Sequence, residues 1–225
     1  MTSQPVSGVG RFAAGLVAAT ALLLLTGCMG SDDGMGPLTS DITVSDDDGM
    51  NGAVLTDKYD VPKVSLTATD GSSYSLRADT AKPLTLVFFG YTNCPDICQV
   101  VMADIASAMT RLDGSQREQV DMLFVTTDPA RDDEKTLRTY LDRFDPSFEG
   151  LTGDLGTIVN TGKAFGVPIE KGAKMPSGGY EVTHGTQIVA IDADDRSPIV
   201  WTEGTSGEAL AEDIVKLLET GTLTP

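Results

Sequence analysis

The sequence holds three cysteines and one histidine in 225 residues. That scarcity excludes a disulfide-dense scaffold. It also excludes a self-contained zinc site of four cysteines, or of two cysteines and two histidines. Basic residues are short as well: 16 Lys+Arg against 33 Asp+Glu give a net charge of -17. Such a chain repels a phosphate backbone, so no nucleic-acid partner is expected. No twin-arginine pair stands near the start, which favours general secretion over folded export. What is present is 40% hydrophobic residues, enough for a real core and too many for a wholly disordered chain. Thiol or soft-ligand chemistry must therefore use Cys28, Cys94, Cys98 and His184.

Arg11 is the only charged side chain before Asp32. The apolar run over residues 12–25 that follows suits the core of a secretory signal but is too short to span a bilayer comfortably. Residues 1–27 are thus expected to be a signal peptide. Within them, Gly8, Gly10 and Ala13 spell a dinucleotide-binding pattern, but no strand precedes it, so it carries no such meaning. The tetrad Leu25-Thr26-Gly27-Cys28 resembles a bacterial lipobox, which implies cleavage before Cys28 and lipidation of its thiol. Several acyl chains, at about 0.8 kcal/mol per buried methylene, would hold the protein on a membrane.

Residues 29–52 are rich in Gly, Asp and Ser and poor in large apolar side chains. Too little burial is available to offset ordering, so residues 28–52 are expected to be a lipidated cysteine and a disordered acidic tether. As a coil the tether would average about 27 Å end to end. Its acids lack the alternating spacing of a calcium loop.

Residues 53–225 form one domain by size. Residues 63–69 and 73–76 flank Asp70-Gly71 and predict a hairpin. Leu84-Thr85-Leu86-Val87-Phe88-Phe89 predicts a strand buried on both faces, as does the segment 121–126. Helices are expected over 95–112, from an Asp132 or Asp133 cap to 144, over 155–165 and over 208–219. Segments 187–191 and 198–201 predict a strand pair. The fold class is α/β, a central mixed sheet flanked by helices with an N-terminal hairpin. Met102, Met109 and Trp201 fall at positions expected to be core.

Cys94-Pro95-Asp96-Ile97-Cys98 follows the first buried strand and opens a helix. Pro95 suits the first helical position, which puts Cys94 at the cap, where unpaired N–H groups favour thiolate. Cys98 lies one turn on, on the same face. Two sulfurs so related can close a disulfide or grip one soft metal ion. A structural disulfide stays open here, although so short a loop constrains the unfolded chain little. His184 is either an ordinary surface or core residue or a third ligand. Two thiolates and an imidazole make a soft site suited to copper, provided the fold spans the sequence distance from Cys98.

Four stretches together resemble the Sco/SenC family of thioredoxin-like copper proteins. They are Phe88-Phe89-Gly90-Tyr91-Thr92-Asn93-Cys94-Pro95-Asp96-Ile97-Cys98, then Thr127-Asp128-Pro129-Ala130-Arg131-Asp132, then Tyr140-Leu141-Asp142-Arg143-Phe144-Asp145 with Leu151-Thr152-Gly153, and finally Val182-Thr183-His184-Gly185. The resemblance implies a thioredoxin-like fold and one site for Cu(I) and Cu(II), with Cys94, Cys98 and His184 as ligands. Asp128 belongs to the family's Asp-Pro-x-Arg-Asp loop and is either an outer-shell acid or simply a turn-former before Pro129. Asn93, Gln99 and Thr183 depart from residues often found in the family, and none of the three removes a ligand.

The resemblance further implies a lipid-anchored extracytoplasmic copper chaperone on the bacterial cell membrane. Its client would be cytochrome c oxidase subunit II or another extracytoplasmic copper protein. A second function is thiol-disulfide reduction of the same client, with Cys94 attacking and Cys98 resolving. Weaker alternatives are a peroxide-reducing thiol enzyme and an inert lipoprotein with a structural disulfide.

Overall fold

The computed structural model describes residues 49–174 and 180–220. The signal segment, Cys28 and most of the acidic tether lie outside them. Among the described residues the chain alternates strands and helices. β1 (Ala53–Asp60), β2 (Ser65–Ala68), β3 (Ser73–Ser75) and β4 (Leu84–Gly90) lead to α1 (Ile97–Arg111) and the single turn α2 (Gly114–Arg117). β5 (Val120–Thr126), α3 (Glu134–Leu141), β6 (Glu149–Thr152) and α4 (Leu155–Ala164) follow. β7 (Ile169–Lys174), β8 (Tyr180–His184), β9 (Ile188–Asp192), β10 (Arg196–Trp201) and α5 (Gly207–Thr220) complete the order.

Eight strands make one mixed sheet in the order β1-β10-β9-β4-β5-β6-β2-β3, and β7-β8 form a separate ribbon. β4 runs parallel to β5, which runs parallel to β6, while β9 is antiparallel to β4. This is the expected thioredoxin-like α/β arrangement. The expected hairpin is present as β2–β3, with Leu66 opposite Tyr74. It is not the first element: β1 precedes it and pairs with β10 at the far edge.

The apolar run in β4 reflects its central place. Leu84, Leu86 and Phe88 face one core with α1, α3 and α5, while Val87 and Phe89 face a second core with Ile158 and Phe165 of the α4 segment. All seven residues of β4 are buried. Met102, Met109 and Trp201 lie in the first core, as their sequence positions predict.

Two expectations need correction. Residues 50–52, assigned to the tether, are joined to the domain. The Asp213 carboxylate of α5 accepts from Asn51 N–H at 2.9 Å, Gly52 N–H at 2.8 Å and Trp201 Nε1–H at 2.8 Å. A side chain at Gly52 would meet the Trp201 ring, since a Cβ there stands 2.5 Å from Nε1. Hydrogen bonding to a buried carboxylate thus orders a segment whose composition alone cannot.

Helix α1, in turn, begins at Ile97 rather than Pro95. Asp96 is its N-cap, accepting from Ile97 N–H at 2.5 Å. Aspartate is a far better cap than cysteine, and it places Pro95 before the helix.

Asp213→Ala leaves the Trp201 indole N–H and two backbone N–H groups without their acceptor. A loss of about 2–4 kcal/mol is expected. Urea unfolding followed by the fluorescence of Trp201, the only tryptophan, measures it directly.

Candidate metal centre

Cys94 and Cys98 reach the site from the loop that leaves β4. Cys94 N–H donates to Tyr91 O at 3.2 Å, closing a tight turn. Although Cys94 is not the cap residue, its sulfur takes part of that role: Cys98 N–H donates to Cys94 Sγ at 3.4 Å. A first-turn N–H with no partner inside the helix therefore points at this sulfur. Both cysteines are unbridged and buried.

His184 arrives on the ribbon. It ends β8 opposite Ile169 of β7, and Gly185 N–H donates to Pro168 O at 2.9 Å. Its Nδ1 lies 2.9 Å from Gly185 O. A carbonyl oxygen only accepts, so Nδ1 carries the hydrogen and Nε2 keeps its lone pair. That lone pair faces Cys98 Sγ at 3.6 Å. The rings of Tyr91 and Phe88 meet the imidazole edge-on, with centroids at 5.8 and 6.4 Å. They fix its plane, while the Gly185 carbonyl fixes its tautomer.

The donor atoms of Cys94, Cys98 and His184 all lie within 4.8 Å of one another. Two donors on opposite sides of an ion, each bonded at about 2.3 Å, stand about 4.6 Å apart. The trio thus fits one soft cation with little adjustment. Among the described residues it is the only such cluster of His, Cys, Asp and Glu.

Burial, with smaller contributions from Cys94, pushes the Cys98 thiol well above its ordinary pKa. Burial likewise holds His184 below its ordinary value, against the opposing pull of the Gly185 carbonyl. Without metal, Cys98 is a thiol and His184 a neutral base. Burial and then the two sulfurs also raise the Tyr91 hydroxyl.

The family model described as SCO1/SenC matches residues 58–219. The chain belongs to the SCO1/SenC family. A mitochondrial SCO2 homologue of Danio rerio is 32% identical over 136 residues, covering 60% of this chain and 49% of that protein. The chain spans about half the length of the curated relatives it matches. Among solved structures, ScoI of Bradyrhizobium japonicum with copper bound is 30% identical, covers 71% of this chain and 97% of its own, and has a TM-score of 0.59. Apo Sco1 of Thermus thermophilus is 26% identical, with coverage of 75% and 96% and a TM-score of 0.67.

The other residues singled out in this SCO1/SenC chain are not part of the donor trio. Asp128 is buried in the loop after β5. Its carboxylate is ion-paired with Arg131, and its carbonyl accepts from Arg131 N–H and Asp132 N–H, both at 3.0 Å. That is the geometry of a turn-former. Asn93 is exposed in the cysteine loop and Gln99 is exposed on α1. The side chain of Thr183 and the whole of Cys28 lie outside the described residues.

Nothing in the residue types of Tyr91, Phe88 and Asp132 marks them as site neighbours. They sit inside the quoted motifs, but only the folded chain shows what they touch.

A soft cation must displace the Cys98 proton, so affinity rises with pH while the thiol remains protonated. His184, held below its ordinary value, has no proton of its own to lose near neutrality. Silver(I) affinity measured by competition between about pH 6 and about pH 8 should rise about tenfold per unit for this proton alone.

Proposed function

We propose that the chain is a membrane-tethered extracytoplasmic copper carrier that supplies the copper centre of cytochrome c oxidase. The convergence of the Cys94, Cys98 and His184 donors within 4.8 Å carries this reading. It draws support from the family membership and from the copper held by the B. japonicum relative. The lipobox-like tetrad ending at Cys28 supports the anchor, and the Sco/SenC resemblance supports the client, oxidase subunit II.

Copper is the cargo. Two thiolates and one imidazole suit Cu(I) especially, and the mixed donor set also accepts Cu(II). Uptake releases the Cys98 proton, while neutral His184 donates its Nε2 lone pair without one. Client donors then replace these ligands one at a time. Protonation of the departing thiolate makes release easier at lower pH.

Anaerobic Cu(I) titration of the reduced protein tests this. One equivalent should bind. Cys94→Ser, Cys98→Ser and His184→Ala should each lose more than the about 10–100-fold that removal of an outer partner costs. Undiminished binding in His184→Ala would remove the triad. Cys28→Ser should move the protein from the membrane fraction to the soluble fraction on immunoblots, and retention at the membrane would count against the anchor.

A second reading rests on the nearness of the two unbridged sulfurs. Cys94, 5% exposed, could attack a client disulfide and fully buried Cys98 could resolve it. His184→Ala separates the two: thiol-disulfide exchange should survive it, whereas copper retention should not.

A further inference from the structure

Two adjacent aspartates follow the Asp-Pro turn, and either could have capped α3. Asp133 does so, accepting from Thr136 N–H at 2.7 Å. Asp132 is therefore spared that task, and it turns inward with no exposed surface. One carboxylate oxygen accepts from Thr92 Oγ1–H at 2.6 Å. The other accepts from Thr92 N–H at 2.9 Å and from Thr126 Oγ1–H at 2.7 Å. Its own carbonyl accepts from Thr152 Oγ1–H at 3.1 Å.

Burying a carboxylate costs several kcal/mol unless its lone pairs are occupied. Here they are, and two of the three donors belong to one residue. Thr92 stands between the two groups that shape the metal site from this loop. Before it, Tyr91 lays its ring against His184 and lends its carbonyl to Cys94 N–H. After it, past exposed Asn93, comes Cys94 itself. Clamping Thr92 by both its amide and its hydroxyl removes the freedom of the loop to rotate there. The opposite end of the clamp is Thr126, the last residue of β5 and so part of the rigid sheet.

We propose that Asp132 is a positioning residue for the metal centre: through Thr92 it locks the cysteine loop to the end of β5 and so sets the place of Cys94 relative to Cys98 and His184. Asp132 touches neither sulfur nor imidazole in this role. Its carboxylate is suited to the work because it only accepts. Asparagine in its place would turn an N–H₂ toward at least one of the donors.

The proposal rests on the copper-carrier reading for one of its readouts and is independent of it for another. Asp132→Asn, Thr92→Val and Thr92→Ser in the full chain are compared with the parent. Three measurements are made: Cu(I) affinity by competition with bicinchoninate, the metal-free Cys94/Cys98 dithiol–disulfide equilibrium against glutathione, and the urea midpoint. Asp132→Asn should weaken Cu(I) binding about 10–100-fold. Thr92→Val should weaken it less, and Thr92→Ser, which keeps the hydroxyl, should restore it.

A loosened loop lowers the effective concentration of one thiol at the other. Asp132→Asn should therefore move the glutathione equilibrium toward dithiol by at least about tenfold, about 30 mV. A stability role alone would lower the urea midpoint and leave both equilibria of the folded protein unchanged. Parent-like affinity and equilibrium in folded Asp132→Asn would overturn the proposal. If that variant does not fold, the threonine pair decides: Thr92→Ser no better than Thr92→Val overturns it. Should the parent take up no Cu(I), the carrier reading fails, and the glutathione equilibrium still decides the role of Asp132.

Discussion

The parallel pairing of β4 with β5 is the constraint on which the site depends. Gly90 lies opposite Thr126, so both strands finish at one edge of the sheet. Thr127 N–H donates to Gly90 O at 2.7 Å and seals that edge. The loop bearing the cysteines and the loop bearing Asp128 and Asp132 must then emerge side by side. β9, antiparallel to β4, starts at the same edge, with Ile188 opposite Phe88. The chain entering β9 is the segment that carries His184. Two strand ends and one strand beginning thus converge, and residues 86 positions apart in sequence become neighbours. Ligand sites at the carboxyl ends of parallel strands arise in open α/β sheets for this reason.

Convergence would be harmful if it gathered fixed charges in a buried place. The donor set avoids this because Cys98 is a thiol and His184 a neutral imidazole until metal arrives. Desolvation acts in opposite senses on an acid and a base, raising one pKa and lowering the other, yet both changes favour the uncharged form. Metal binding offsets the protons lost from sulfur: a divalent ion balances two thiolates, and a monovalent ion leaves one negative charge shared over the site. The same burial therefore serves stability without metal and selectivity for a soft ion with it.

Much of this was readable before folding. The apolar runs of β4 and β5 announced strands buried on both faces, and the helix expected over 155–165 is present as α4. The amphipathic stripe of residues 208–219 did the same for α5. β1 escaped notice because it lies at a sheet edge and its second half is polar and half-exposed. β6 is four residues long, too short for a period to show. The β7–β8 ribbon carries Lys171, Lys174, Glu181 and Gly172, whose composition gives no strand signal. At the site, Cys94, Cys98 and His184 stood out through rarity. Tyr91 and Asp132 did not, because tyrosine and aspartate are common and their meaning here lies in what they touch. The start of α1 shows the same limit. Proline before a helix fits two positions, and only the Asp96 hydrogen bond decides between them.

Two buried carboxylates perform one mechanical task at separate places in the fold. Asp213 gathers Asn51, Gly52 and Trp201, and so fastens the segment entering the domain. Asp132 gathers Thr92 and Thr126, and so fastens the cysteine loop. In each case the donors are amide, hydroxyl or indole groups whose own alternatives inside the core are poor. An acceptor-only group with several lone-pair sites can satisfy all of them at once, which an amide or a hydroxyl cannot. The geometric return is stiffness: several donors fixed on one small anion leave few rotations free. A chain that must present two sulfurs and an imidazole to a cation needs such stiffness where the ligands leave regular structure. The acidic residues that dominate its composition are therefore not all solvation. At these two points, negative charge is an internal fastening.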